Sequence, residues 1–140
     1  SKKYFEILKR ENGNFSILVI DIDNFKDIND TNGHDMGDFV LKELVKNIEE
    51  KIRENDFVVR LGGDEFVVVL PNIILDEARI VANKLIDKIN SDKKDINFTI
   101  SIGSATYIKD DISISSVIKR ADLGLYEAKK TGKNKTVIYK

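Results

Sequence analysis

A chain of 140 residues suits one compact domain with its own core, because domains run to about 100 to 200 residues. Hydrophobic residues make up 41% of it and charged residues 34%, a balance that fits a globular protein and excludes collagen-like, mucin-like and linker sequences. With 23 Lys and Arg against 24 Asp and Glu the net charge is -1, so there is no overall attraction for nucleic acid or anionic lipid, and contact with neither is expected. Cysteine is absent, which rules out disulfides and thiolate metal sites and fits a reducing compartment. The longest apolar runs, Ile17 to Ile20 and Phe66 to Leu70, are too short to cross a bilayer. The N-terminus reads as a polar amphipathic helix rather than a signal peptide.

Tyr4, Phe5, Ile7 and Leu8 recur at helical spacing over residues 3–11, and Gly13 ends the pattern. The β-branched, almost unbroken apolar run from Phe15 to Ile22 predicts a strand buried on both faces. A short polar stretch through Asn32-Gly33-His34 follows it. Residues 36–53 place Val40, Leu41, Leu44, Val45, Ile48 and Ile52 on one stripe of a long helix that ends near Arg53. Strand-like runs over 57–61 and 64–70 flank Gly62-Gly63, a pair suited to a two-residue hairpin turn with positive φ angles. A helix over 76–90, capped by Asp76, presents Ala78, Val81, Ala82, Leu85 and Ile89 on one face. Phe98, Ile100 and Ile102 alternate in the next strand. A last helix over 114–130 uses Val117, Ile118, Ala121, Leu125 and Ala128, and Gly132 stops it before a short strand from Thr136 to Tyr139.

From Phe15 to Ile102 the order is strand, helix, strand, strand, helix, strand. That is the split βαβ, or ferredoxin-like, α+β arrangement with a mostly antiparallel central sheet, here extended by a C-terminal helix and strand. Strands 1 and 3 then lie antiparallel at the sheet centre, which makes Asp21 and Asp64 neighbours.

Asp21-Ile22-Asp23 closes strand 1 and Asp64-Glu65 opens strand 3. Acidic groups converging at one edge of an apolar sheet repel one another unless something positive sits among them, and hard divalent cations with oxygen ligands are the natural answer. Asp23 precedes the Asn24-Phe25-Lys26 turn, where a carboxylate caps backbone N–H groups. Capping is therefore expected of Asp23 and metal binding of Asp21. Gly62-Gly63 alone reads as an ordinary tight turn, but beside two carboxylates it also lets a ligand approach the backbone closely. Lys26 lies five residues past Asp21, with Lys129 and Lys133 near the end of the last helix. Lysines at a helix C-terminus merely complement the macrodipole, a role that suits Lys130 better than a cluster including Lys26.

Arg60-Leu61-Gly62-Gly63-Asp64-Glu65-Phe66 resembles the signature of the GGDEF family of diguanylate cyclases, whose fold is a nucleotidyl cyclase or palm-type core. Asp21 to His34, followed by Gly37-Asp38, is similar to the family's other long motif, as are Thr99 to Gly103 and Ala121 to Lys129. The match runs in register from about Tyr4 to Val137. It implies condensation of two GTP molecules into cyclic di-GMP with release of two pyrophosphates, supported by Mg²⁺ or Mn²⁺. It implies metal ligands at Asp21, the Ile22 carbonyl and Asp64, with Asp64 or Glu65 helping to deprotonate the attacking 3′-hydroxyl. It further implies that Asn29 and Asp38 read the guanine with His34 close by. Lys26 would stabilise the transferred phosphoryl group, aided by the backbone of Asn24 and Phe25, while Lys129 and Lys133 hold the outer phosphates. Arg53 and Asp56 fall at the family's RxxD inhibitory site, with Lys84 near its second basic residue.

There are departures. Family members usually begin D-x-L-T-G-L-x-N-R, whereas this chain opens Ser1-Lys2-Lys3-Tyr4-Phe5, and Lys133 stands where arginine is common. Residues 1–140 are therefore expected to be a single GGDEF catalytic domain lacking that segment, cut from a larger sensory protein. It would act in the cytoplasm, alone or as the cytoplasmic part of a membrane-bound sensor, and catalyse as a homodimer without membrane contact of its own. The alternative is a catalytically weak module that binds cyclic di-GMP or GTP for regulation. Retention of Asp21, Asp64, Glu65 and Lys26 favours the enzyme. A polymerase palm would need fingers and thumb segments that 140 residues do not supply.

Overall fold

The computed structural model describes residues 13–92 and 96–139. Within them the elements run β1 (Phe15–Ile22), α1 (Phe25–Asn32), α2 (His34–Lys51), β2 (Phe57–Gly62), β3 (Glu65–Pro71), α3 (Leu75–Ser91), β4 (Ile100–Thr106), α4 (Ile114–Lys130) and β5 (Thr136–Ile138). The helix expected over residues 3–11 lies outside the described residues. The strands form one sheet in the order β2-β3-β1-β4-β5, antiparallel except between β4 and β5. This is the expected α+β, ferredoxin-like core with its added helix and strand.

The sequence of β1 shows no polar period because helices cover both faces of the sheet. Leu18, Ile20 and Ile22 pack with Val40, Leu44 and Ile48 of α2 and Ala82 and Leu85 of α3. The alternate residues Phe15, Ile17 and Val19 pack with Val117, Ala121 and Leu125 of α4. Each of the Val, Leu, Ile and Phe side chains among these contributes about 1.5–3 kcal/mol on full burial, so the middle strand is a rigid base for whatever stands at its end.

Four local expectations are corrected. The polar stretch after β1 is a helix, α1. Of its residues only Ile28 is buried, with Phe25 partly buried against the same core, and two apolar positions in a polar surround gave too little periodicity to read. Asn24 leads into it in the left-handed conformation (φ 57), and Gly33 at φ 90 separates it from α2, an angle that glycine adopts at little cost. The hairpin turn is Gly63-Asp64 rather than Gly62-Gly63, since Gly62 pairs with Glu65 and the register slips between Arg60 and Gly62. That extra residue, Leu61, is a bulge that moves the turn on by one position, leaving only Gly63 of the pair with positive φ. Helix α3 begins at Leu75 with Ile74 at its N-cap. There the Glu77 carboxylate accepts the Ile74 N–H at 3.4 Å, and Asp76 sits in the first turn, where its charge favours the dipole without capping. Phe98 is buried in the core ahead of β4 rather than inside it.

Close approach fixes α4. A Cβ on Gly103 would fall 2.0 Å from the Ala121 carbonyl oxygen, and one on Gly124 would fall 2.7 Å from the Val137 carbonyl oxygen. Two glycines therefore let the helix backbone rest directly on β4 and β5, which delivers the end of α4 to the end of β1.

Candidate active site

The pairing of β1 with β3 sets Asp21 opposite Glu65, and the Ile22 N–H reaches the Asp64 carbonyl at 3.4 Å. Asp21 and Asp64 are neighbours, as the topology requires. Burial pushes the Asp21 carboxyl up to about 7, the adjacent Asp64 carboxyl pushes the same way, and the Lys129 ammonium opposes both. Glu65 is raised as well, by burial and then by the charge and hydrogen bond of Asp122 on α4. Like charges this close cannot all ionise without cost.

Lys129, in the last turn of α4, donates to Asp23 Oδ1 at 2.9 Å and to the Ile22 carbonyl at 3.3 Å, and lies 3.3 Å from Asp21 Oδ2. The expected capping role of Asp23 is not found: no side chain caps α1. Its carboxylate turns inward and accepts Thr99 Oγ1 at 2.6 Å, Ser101 Oγ at 2.6 Å and the Asn134 N–H at 3.0 Å. Burial alone would raise it, but the hydrogen bonds from Ser101, Thr99 and Lys129 outweigh burial and hold it below the usual carboxylate range. These partners offer more than a helix terminus would. Thr99 and Ser101 alternate with Ile100 and Ile102, so the two hydroxyls fall on one face of the chain and reach the same carboxylate.

The oxygen chemistry of this edge fits a hard cation. Asp21 Oδ1 is buried and has no hydrogen-bond partner, a costly state for a carboxylate. Among the described residues no group of three His, Cys, Asp or Glu side chains forms a self-sufficient metal cluster. A cation here would take Asp21, Asp64 and the Ile22 carbonyl and complete its shell from water or substrate oxygens, the partial protein shell that Mg²⁺ uses.

Around this edge, Asn24, Phe25 and Lys26 form the entrance of α1, with Lys26 exposed, and Lys133 Nζ donates to Asn24 Oδ1 at 2.7 Å. Asn29 lies against the first turns of α2, where a Cβ on Gly37 would fall 1.8 Å from Asn29 Oδ1. Gly37 thus makes room for the Asn29 amide next to Asp38. His34 and Asp38 are both exposed in those turns. A groove of about 530 Å³ lies along α2, lined by Leu41, Lys42 and Val45 and by Phe66 and Arg60 of the hairpin strands. Gly62 and Gly63 have open space where a Cβ would stand, and Arg60 Nε braces the turn through the Gly63 carbonyl at 3.0 Å. Gly37 and Arg60 stand within the sequence motifs without an expected role, and Asp122 was missed as a site neighbour because only the tertiary contact of α4 with Glu65 reveals it.

Arg53 and Asp56 lie apart from this edge, between α2 and β2. Arg53 Nη2 and Nε reach Asp56 Oδ1 and Oδ2 at 2.8 and 3.1 Å, the Arg53 N–H donates to Oδ2 at 2.8 Å, and Nη2 also reaches the Pro71 carbonyl at 2.7 Å. Lys84 is exposed on α3, in a shallow pocket with Glu50, Asp87 and Lys88.

A ferredoxin-like sheet with carboxylates at the end of its middle strand and a glycine hairpin beside them defines a palm-type α+β domain. The sequence pattern described as "Diguanylate cyclase, GGDEF domain" matches residues 2–135, and the chain belongs to that family. It is 45% identical over 130 residues to diguanylate cyclase A of Treponema denticola, covering 89% of this chain and 35% of that protein. It therefore spans about a third of the curated relative's length. Among solved structures it is similar to the active GGEEF domain of a diguanylate cyclase from Vibrio cholerae (TM-score 0.92, 34% identity, 99% of this chain and 90% of that one). It is also similar to the GGDEF domain of DgcB from Caulobacter crescentus in complex with cyclic di-GMP (TM-score 0.88, 28% identity, 98% and 86%).

Proposed function

We propose that this domain is a diguanylate cyclase, joining two GTP molecules into cyclic di-GMP and releasing two pyrophosphates. The observation that carries the reading is the convergence of Asp21, Asp64 and Glu65 at one sheet edge, with an unsatisfied Asp21 oxygen and Lys129 beside them. In each of two attacks a 3′-oxygen bonds to the α-phosphorus of the other nucleotide, the bond to pyrophosphate breaks, and the hydroxyl proton passes to Asp64 or Glu65. A raised Glu65 carboxyl is a stronger base than an ordinary carboxylate. Asp21, the Ile22 carbonyl and Asp64 would hold Mg²⁺ or Mn²⁺, which supplies charge neutralisation on the phosphate oxygens.

Little covalent work falls to the protein, whose residues position and neutralise. The Asp38 carboxylate accepts the guanine N1 and N2 protons, which adenine does not offer in that pattern, and Asn29 reads the same base with His34 nearby. Lys26 offsets charge on the transferred phosphoryl group, while the Asn24 and Phe25 backbone at the α1 N-terminus supports it. Lys129 and Lys133 hold the outer phosphates, and Gly62 and Gly63 leave room for the nucleotide. One domain offers one set of these groups, so two copies meet face to face about a twofold axis. Arg53, Asp56 and Lys84 form a product site, where the arginine can pair with the guanine O6 and N7 edge. A domain that consumes GTP works in the cytoplasm. Among the described residues no helix is long and apolar enough to cross a membrane.

Incubation with GTP and Mg²⁺ or Mn²⁺, with products weighed by mass spectrometry, tests this reading. Cyclic di-GMP and pyrophosphate should appear in a one-to-two ratio, at a velocity that rises more steeply than enzyme concentration. A folded protein that binds cyclic di-GMP but converts no GTP would favour the second reading, a regulatory binding module, which the Arg53–Asp56 pair supports.

A further inference from the structure

We propose that Asp23 is a positioning residue for phosphate binding: its carboxylate fixes both Lys129 and the turn that carries Lys133. The inference rests on the reading of those lysines as holders of the outer phosphates. The Asp23 side chain is 1% exposed, and its oxygens bind three distant parts of the chain. Oδ1 accepts Ser101 Oγ at 2.6 Å and Lys129 Nζ at 2.9 Å. Oδ2 accepts Thr99 Oγ1 at 2.6 Å and the Asn134 N–H at 3.0 Å. The start of β4, the end of α4 and the turn before β5 therefore meet on one carboxylate.

Two features make this more than a buried acid finding partners. A lysine stem has four rotatable carbons and no preferred place until its ammonium is held. Asp23 supplies the shortest of the three Lys129 contacts, the other two being 3.3 Å each. Lys133 and Asn134 both adopt left-handed backbone angles, φ 63 and 51, which residues with a Cβ rarely hold unless their surroundings impose it. The Lys133 N–H is held by the Ala128 carbonyl at 2.9 Å, and the Asn134 N–H by Asp23, backed by Ser101 Oγ at 3.2 Å, so Asp23 supplies the second of the two anchors of this turn. From that turn Lys133 reaches across to Asn24 at 2.7 Å. A carboxylate present only for charge would do the opposite of positioning, weakening phosphate binding by neutralising Lys129.

That opposition sets the test. GMP and a GTP analogue with a methylene between its α- and β-phosphates share base and ribose, differ in the outer phosphates and are not consumed by the reaction. Each is titrated calorimetrically, with Mg²⁺, into the wild-type protein, Asp23→Asn and Thr99→Val, whose folding is checked by circular dichroism. The wild type should prefer the analogue to GMP. Asp23→Asn should bind the analogue at least about tenfold more weakly while GMP affinity stays within about twofold. Thr99→Val should show a smaller loss in the same direction, and it decides alone should Asp23→Asn fail to fold. Unchanged analogue affinity in a folded variant overturns the proposal, and tighter binding overturns it in favour of a purely electrostatic carboxylate. Equal affinity of the wild type for both nucleotides would overturn the assignment of the lysines themselves, and the proposal with it.

Discussion

The acidic edge of β1 and β3 and the Arg53–Asp56 loop both hold carboxylates beside cations, but they are finished to different degrees. Asp56, 2% exposed at its side chain, has both oxygens bonded by one arginine that also ties down the Pro71 carbonyl. Asp21 keeps one buried oxygen without a partner and shares its surroundings with Asp64. The loop is a completed structural pair whose half-exposed arginine can still meet a ligand. The edge is incomplete as protein alone, and under the proposed function a cation with its substrate would complete it. Loss of a carboxylate should therefore cost chemistry at the edge and stability at the loop.

The largest expected effect is that of Asp64→Ala. Cyclic di-GMP formation should fall by at least about 10²–10³-fold, the scale of losing one preorganised electrostatic group. The melting temperature should stay level or rise, because Asp21 loses a repelling neighbour. Near-normal turnover in the folded variant would remove Asp64 from the site and leave Glu65 as the better candidate. Next is Asp38→Ser, which should cut the preference for GTP over ATP by about 10²-fold or more, since a site built to pair with guanine rejects bases that leave it unpaired. Both nucleotides competing in one reaction check this, and unchanged discrimination would refute the role.

Arg53→Ala should move the other region. Of the three bonds that Arg53 makes to the buried Asp56 carboxylate it leaves only the one from the backbone N–H at 2.8 Å, and it should cost about 1–3 kcal/mol in urea unfolding. Calorimetry should show loss of cyclic di-GMP binding, and product should accumulate further late in the reaction while the initial rate changes little. Equal product binding by variant and wild type would reduce the pair to its structural role. The smallest effect belongs to Gly37→Ala. The new Cβ would displace the Asn29 amide, raising the KM for GTP by about tenfold or less at unchanged kcat, the pattern of lost uniform binding. An unchanged KM would show that Asn29 does not read the base from that position.

The sequence determined a good deal by itself. The double-sided strand β1, the β2–β3 hairpin and the exact span of α4 follow from local period and composition, and the acidic and glycine motifs pointed to one chemistry at one sheet edge. Helix α1 was hidden because Phe25 and Ile28 are its only apolar anchors to the core. Only the tertiary structure decided what Asp23 does, because Thr99, Ser101 and Asn134 lie 76 to 111 positions away from it and no local pattern encodes a bond across that span. It alone showed that Gly37 clears the Asn29 amide and that Gly103 and Gly124 clear the path of α4 onto the sheet. A missing Cβ has no signature in hydrophobic period, and its purpose appears only when the atom it would strike is in place.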